Sequence, residues 1–470
     1  MRDARSAGVT SSPAEVLSHY VSSVGFAELP QEIVRWAACL IEDNLGCALG
    51  ALMLPESRSI LHIAEAEAGV GSALAVGARP TSITAAAFSN SQLSNLLDFD
   101  DSYDYFMPYH PGCGIIPAAL AVAEFIGASG PEFLSAVVVA YEVVMRVGRG
   151  VGNVLWGGLS STAALDELGP AIAAAKLYQL SAAQIREVFG IVALDESDIS
   201  HLRSRGQLTY HRRIGTLKGN FGSRAQIGVW AAMKARAGLT GGSGMLEWSR
   251  ADWFRAGLSL AGFNAMTASL GTEYLSPAIS LKPVPSCRMT HHPITAALNA
   301  LDGRTLDARH VTRIRVLGVP RLQRTLWSDM VDAQFSVPCS LALAVSGIEP
   351  GPRWYIDGAF KSPPILELAA KVEQEFSSAA EIVEMTEGRF TSQVEIHLRG
   401  GGLLQGECHA VKGEPGNPLT RSERQAKFSA NAAHLPDQGR AIANAIQGLT
   451  RAGDLQELRT ALAAAKPFGG

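Results

Sequence analysis

Asp98, Asp100 and Asp101 stand within four residues, Ser102 follows, and His110 comes eight residues after Ser102, in Asn95-Leu-Leu-Asp-Phe-Asp-Asp-Ser102 and Tyr109-His-Pro-Gly112. A histidine close to carboxylates can hold or release a proton near neutral pH. General acid–base work is therefore the chemistry this stretch offers. The same spacing also suits a solvated loop whose Asp and Ser side chains cap helices, and spacing alone leaves both readings open. The stretch lies between apolar, Ala-rich runs at 84–97 and 115–125. A segment so polar between two such runs must reach solvent, a cavity or a partner, because an unpaired buried carboxylate is costly.

The elements that must hold these groups read mostly as helix. Val16, Tyr20 and Val21 recur on one face, then Ile33, Val34, Ala37, Leu40, Ile41 and Leu45, at helical spacing. Ala-rich helices are expected over 64–78, 81–97, 117–125, 131–149, 169–180, 182–195 and 215–237, packed closely through Ala and Gly. The pattern shifts near residue 265. Arg309–Leu317 and Thr391–Leu398 alternate polar and apolar residues like strands, and 403–411 could pair with the second across Gly400-Gly-Gly402. Segments 336–345 and 363–374 read as helix, and 420–462 returns to helix. The expected fold is mostly α: an all-helical domain from 14–264 and 412–470, an inserted α+β domain at 265–411, and a loose tail at 1–13.

Composition narrows the classes. The chain has 470 residues, 47% hydrophobic and 18% charged, with a net charge of −4, which is globular. Both signs are spread along it, giving no footprint for nucleic acid or for a membrane surface. Six scattered cysteines lack Cys-x-x-Cys or zinc-finger spacing and are read as thiols. No signal-peptide core opens the chain and no run suits a bilayer span, so a cytoplasmic protein is expected.

Several of these segments together resemble the MmgE/PrpD family, whose members include 2-methylcitrate dehydratase, cis-aconitate decarboxylase and iminodisuccinate epimerase. The resemblance runs through Leu97-Asp-Phe-Asp-Asp101 with His110-Pro, Ala140-Tyr-Glu-Val143, Gly215-Thr-Leu-Lys218, Lys282-Pro-Val-Pro-Ser-Cys-Arg288 with His291, Asp332-Ala-Gln-Phe-Ser336, Gly416-Asn-Pro-Leu-Thr420 and Lys427-Phe428. It implies a helical domain with an inserted α+β lid, no metal or organic cofactor, a homodimer, and an active site between the domains. It also implies proton transfer at a carbon next to a carboxylate of a small di- or tricarboxylic acid.

On that resemblance Asp98, His110, Lys218 and Lys282 are the expected catalytic set. Asp98 would orient or deprotonate, and His110 would carry acid–base duty. Lys218 would grip a carboxylate as a point charge, and desolvation would loosen its proton. Lys282, on a segment stiffened by Pro283 and Pro285, would form a clamp with Arg288, whose planar fork suits carboxylates. Ser102 would bond a substrate carboxylate. Cys287, which stands where decarboxylase-like members tend to have histidine, and His291 would also line the substrate site. Arg212 and Arg213 are read as solvated.

The resemblance breaks at Val154-Leu-Trp-Gly-Gly-Leu-Ser-Ser-Thr162, where many members carry a pocket histidine and Trp156, Ser160 or Ser161 would fill the space here. The acidic Asp195, Glu196 and Asp198 before His201 and Arg203 are read as an exposed loop. The expected function is a dehydratase of a citrate- or 2-methylcitrate-like hydroxy acid. The alternatives are a cis-aconitate-type decarboxylase, an epimerase of a small dicarboxylate, and a non-catalytic dicarboxylate-binding or scaffold protein.

Overall fold

Ser12 and Pro13 start the first helix. The Ser12 hydroxyl accepts from the Glu15 amide at 3.2 Å, and Pro13 enters the first turn, where no N–H is required. The structure is a computed structural model that describes residues 11–104, 109–154, 163–194, 215–318, 327–380 and 391–468. Helix α1 (Pro13–Ser23) buries Leu17, Tyr20 and Val21, and α2 (Gln31–Ala51) buries the face read from its spacing, Ile33 through Leu45.

The Ala-rich stretch 64–78 departs from expectation. Helix α3 (Ser57–Ala66) ends where that run begins, and β1 (Ala73–Leu74) pairs antiparallel with β2 (Pro80–Thr81). Gly69 and Gly77, at φ +81° and +89°, take backbone conformations that a helix cannot contain.

Helix α4 (Ile83–Leu96), capped by Ser82, is buried on all sides. Around it and one another pack α5 (Gly112–Ile126), α6 (Gly130–Val154), α7 (Ala163–Leu177), α8 (Ala182–Leu194) and α9 (Phe221–Arg236). Small residues allow this. A Cβ on Gly228 of α9 would lie 2.5 Å from the Glu167 carbonyl oxygen of α7, so the two backbones meet where no side chain fits. Short helices α10 (Arg250–Arg255) and α11 (Leu260–Ala265) follow, the latter against α6.

Beyond them come α12 (His291–Leu301), β3 (Val311–Gly318), α13 (Met330–Gln334), α14 (Val337–Val345), α15 (Pro363–Ala369), β4 (Val372–Phe376), β5 (Ser392–Leu398) and β6 (Leu403–Cys408). The sheet runs β4-β3-β5-β6, with β3 parallel to β4 and the other pairs antiparallel. The alternation read in β3 and β5 is real: Val311, Ile314, Val316, Val394 and Ile396 are buried, and α12 packs on β5 and β6. On the other face Arg315 pairs with Glu375 and Glu395. Gly400 and Gly401 turn the β5–β6 hairpin at φ +100° and +89°. Residues 363–374 are a correction: helix stops at Ala369, and Val372 onward joins β3 as a parallel edge strand.

The chain ends in α16 (Arg421–Asn431), α17 (Pro436–Gly448) and α18 (Gln456–Ala463). Helices α16 and α17 pack on α2. From α16, Lys427 reaches Asp43 of α2 at 2.7 Å and the carbonyl of Phe99 at 2.7 Å. The described residues are mostly helical, with a small four-stranded mixed sheet and the short β1–β2 pair. Among the described residues no helix is long and apolar enough to cross a membrane.

Candidate active site

The end of α4 aims the first functional group. Asp98 turns into the left-handed region at φ +54°, which Asp tolerates better than most residues, and its amide donates to the Asn95 carbonyl at 2.8 Å. Its carboxylate is buried between two lysines. Lys218 Nζ lies 3.2 Å from Oδ2, while Lys282 Nζ bonds Oδ1 and also donates to the Asp98 carbonyl at 3.0 Å. Burial alone would raise the Asp98 pKa. Lys218, Lys282 and then His110 overturn that and hold it well below the usual carboxylate range.

The two lysines are not equivalent. Burial works against the charge of each. For Lys282, Asp98 and Asp100 more than compensate, and its pKa is raised. For Lys218 burial wins over the same two carboxylates, with Lys282 adding to it, and its pKa is lowered. One ammonium is firmly charged and the other holds its proton loosely.

His110 sits across Asp100. The Asp100 Oδ1 accepts from Asn95 at 3.0 Å, and Oδ2 lies 3.3 Å from His110 Nδ1. Burial would raise Asp100, but His110 and Lys282 bring it down to about 2. His110 Nδ1 is 2.8 Å from the Asp101 carbonyl. A carbonyl only accepts, so Nδ1 carries a hydrogen in either charge state and Nε2 is left to do chemistry. Burial and Lys282 pull the His110 pKa down, yet Asp100 and Asp98 prevail and raise it. The ring packs edge-on to Phe221 at 5.8 Å and stays 16% exposed, so it is not sealed from a ligand.

Asp101 supports this loop, a role its sequence position did not reveal. It accepts from the Gly112 amide at 2.9 Å and from the Tyr141 hydroxyl at 2.6 Å. A Cβ on Gly112 would fall 2.5 Å from that hydroxyl. Burial, with Asp100 adding to it, pushes Asp101 up to about 7 against the Tyr141 hydrogen bond. Tyr141→Phe is expected to cost about 1–2 kcal/mol in urea unfolding. The deficit should be larger at pH 8 than at pH 5, because the hydroxyl bonds the ionised carboxylate more strongly. An equal deficit at both would remove Asp101 ionisation from the account.

Ser102 and Arg288 were expected to hold substrate, but here both are engaged by Asp104. Ser102 Oγ donates to its Oδ1 at 2.5 Å, and Ser280 Oγ and Arg288 Nε donate to its Oδ2 at 2.9 and 2.7 Å. Arg288 also reaches Glu414 at 3.4 Å. Against burial, Arg288 and the two hydroxyls hold Asp104 down to about 2. Ser102 and Ser280 exchange backbone hydrogen bonds at 2.9 and 2.7 Å, tying this loop to the segment that carries Lys282.

Cys287 is near the lysines, and burial pushes its thiol up to about 12, with Asp98 adding to it. His291 is fully buried and turned to Ser286, with Nε2 at 3.1 Å from that carbonyl. Burial, then Arg288 and Lys282, keep its imidazole neutral, so it offers no charge to a substrate. Gln334, unassigned from sequence although it lies in Asp332–Ser336, accepts from Lys218 at 2.9 Å. Arg212, Arg213, Trp156, Ser160, Ser161, Asp195, Glu196, Asp198, His201 and Arg203 lie outside the described residues.

Among the described residues no three His, Cys, Asp or Glu side chains converge as metal ligands. A cavity of about 340 Å³ is lined by Val21, Phe26, Ser135, Lys176 and neighbours, none of them from this cluster. Asp98, Asp100, His110, Lys218 and Lys282 bring carboxylates, an imidazole and two amines together in one cluster.

The MmgE/PrpD N-terminal domain matches residues 15–260, and the MmgE/PrpD C-terminal domain matches residues 284–450. A cis-aconitate decarboxylase of Aspergillus terreus is 23% identical over 325 residues, which is 66% of this chain and 64% of that protein. A second, from strain NIH 2624 / FGSC A1156, is 22% identical over 294 residues, 60% of this chain and 58% of its own length. The match thus spans under two-thirds of either relative.

Proposed function

The chain belongs to the MmgE/PrpD family, and on that footing we propose that it is a lyase that dehydrates a citrate- or 2-methylcitrate-like hydroxy acid. One observation carries the reading. Around two neighbouring buried carboxylates the fold sets a lysine with a weakened hold on its proton, Lys218 on Asp98, and a histidine with a strengthened one, His110 on Asp100. Titratable neighbours pushed in opposite directions mark a base and an acid.

In this reading Lys218, charged at rest beside Asp98, gives up its loosely held proton to solvent and as the neutral amine takes the proton α to a substrate carboxylate. Charged Lys282 supplies the positive potential that the developing enolate needs. His110, protonated, delivers its Nε2 proton to the leaving hydroxyl. A C–H and a C–O bond break, a C=C bond forms and water departs, leaving Lys218 charged and His110 neutral until they exchange protons with solvent. Asp98 stays ionised and holds the two lysines apart. Residues 265–411 serve as a lid over the helical domain of 14–264 and 412–470, and the working form is a homodimer needing no metal or organic cofactor.

The relatives named cis-aconitate decarboxylase favour a second reading, in which His110 protonates the carbon left when carbon dioxide departs. Proton NMR in deuterium oxide with citrate, 2-methylcitrate and cis-aconitate separates the two. A new vinylic product from a hydroxy acid is the expected result. Itaconate from cis-aconitate would replace it with decarboxylation. Deuterium entering without net conversion would indicate an epimerase, and inertness toward all three acids would overturn the substrate assignment.

A further inference from the structure

Gln334 is fully buried at the end of α13, and both ends of its amide are committed. Nε2 donates to the Leu96 carbonyl at 2.9 Å, and Oε1 accepts from Lys218 Nζ at 2.9 Å. Only one orientation is possible. Flipping the amide would set oxygen against a carbonyl and NH2 against an ammonium. Leu96 closes α4, so its carbonyl is one of those a helix end leaves unpaired. The turn to Asp98 starts two residues later. The Gln334 carbonyl also accepts from the Cys287 amide at 2.9 Å. Gln334 therefore touches the helix that presents Asp98, the lysine that faces Asp98, and the segment that carries Lys282.

We propose that Gln334 is a positioning residue whose amide oxygen fixes the Lys218 amine on Asp98, so that Lys218 is set for proton transfer only when α13 is docked on the end of α4. The proposal rests on the acid–base reading of Lys218 given above. An amide suits the task better than a carboxylate. It offers the ammonium a dipole without a second full charge, and it still accepts from a neutral amine, so the lysine keeps its place after losing its proton. The charged groups facing Lys218 among the described residues are Asp98, Asp100 and Lys282, with the Cys287 thiol nearby. Asp98 supplies attraction and Lys282 repulsion; Gln334 supplies direction.

The test is the titration of Lys218 itself, followed by proton–carbon correlation NMR of the full chain labelled at lysine Cε. The Lys218 signal is identified by its loss in Lys218→Arg. Gln334→Glu is expected to raise the Lys218 midpoint by about one pH unit or more and Gln334→Met to lower it. Both should cost about tenfold or more in kcat with little change in KM. If Gln334→Met does not fold, the near-isosteric Gln334→Glu carries the test alone. A Lys218 midpoint at the wild-type value in every folded variant overturns the proposal and leaves Gln334 as a cap on α4. Wild-type protein inert toward all three acids would count against the dehydratase reading only, since the titration needs no turnover and still decides the placement.

Discussion

Replacing His110 by glutamine is expected to lower kcat by about 10²–10⁴-fold, the usual worth of a positioned acid or base, while the protein still folds. Glutamine is polar and close to the ring in size, but an amide has no proton to give. Steady-state turnover with whichever acid proves to be the substrate reads this directly. A kcat within about threefold of wild type would remove His110 from the chemistry. The same variant gives a signed stability test. The folded His110 pKa is raised above its unfolded value of about 6.5. Its stabilising contribution is therefore fully present below about pH 6.5 and is lost as pH rises through the folded value. Glutamine should cost more stability at pH 5.5 than at pH 9. The reverse order would mean that Asp100 does not hold the imidazolium.

Removing the charge of Asp98 should have the largest structural effect in the molecule. Asp98→Asn leaves Lys218 and Lys282 buried and facing each other with no carboxylate between them. Breaking a buried ion cluster in this way costs about 3–5 kcal/mol, readable by urea unfolding. Asparagine is the variant to use, because it tolerates the left-handed backbone at this position, whereas alanine would add strain. The pH dependence follows from the depressed Asp98 pKa. The stabilisation is present above its unfolded value of about 3.9 and is lost as pH falls below that. The difference between wild type and Asp98→Asn should therefore shrink toward acid. Adding Lys218→Met to Asp98→Asn removes one of the two repelling charges and should recover part of the loss, a coupling that a double-mutant cycle isolates. Independent, additive losses would show that the two lysines do not share this carboxylate.

What the sequence determined by itself is whatever depends on near neighbours. The helical period marked the buried face of α2, the alternation marked β3 and β5, and three glycines marked the hairpin between β5 and β6. The carboxylates and histidine from Asp98 to His110 were visible together because they adjoin in the chain, although their spacing alone suited a solvated loop as well. Local signals failed where a distant partner or a backbone twist decided the outcome. Left-handed glycines ended the Ala-rich run before 78, and Val372–Phe376 became a strand because β3 lay alongside it.

Only the tertiary structure decided which charges meet. Lys282 finds Asp98 from 184 residues away, and Gln334 finds Leu96 from 238. Arg288, by type an ideal carboxylate clamp, meets Asp104 from 184 residues away. Lys218 and Lys282 are the same residue type, yet one has its proton loosened and the other has it secured. That difference arises from desolvation and the placement of carboxylates around each, which are properties of the packed interior and not of the residue or its neighbours in the chain.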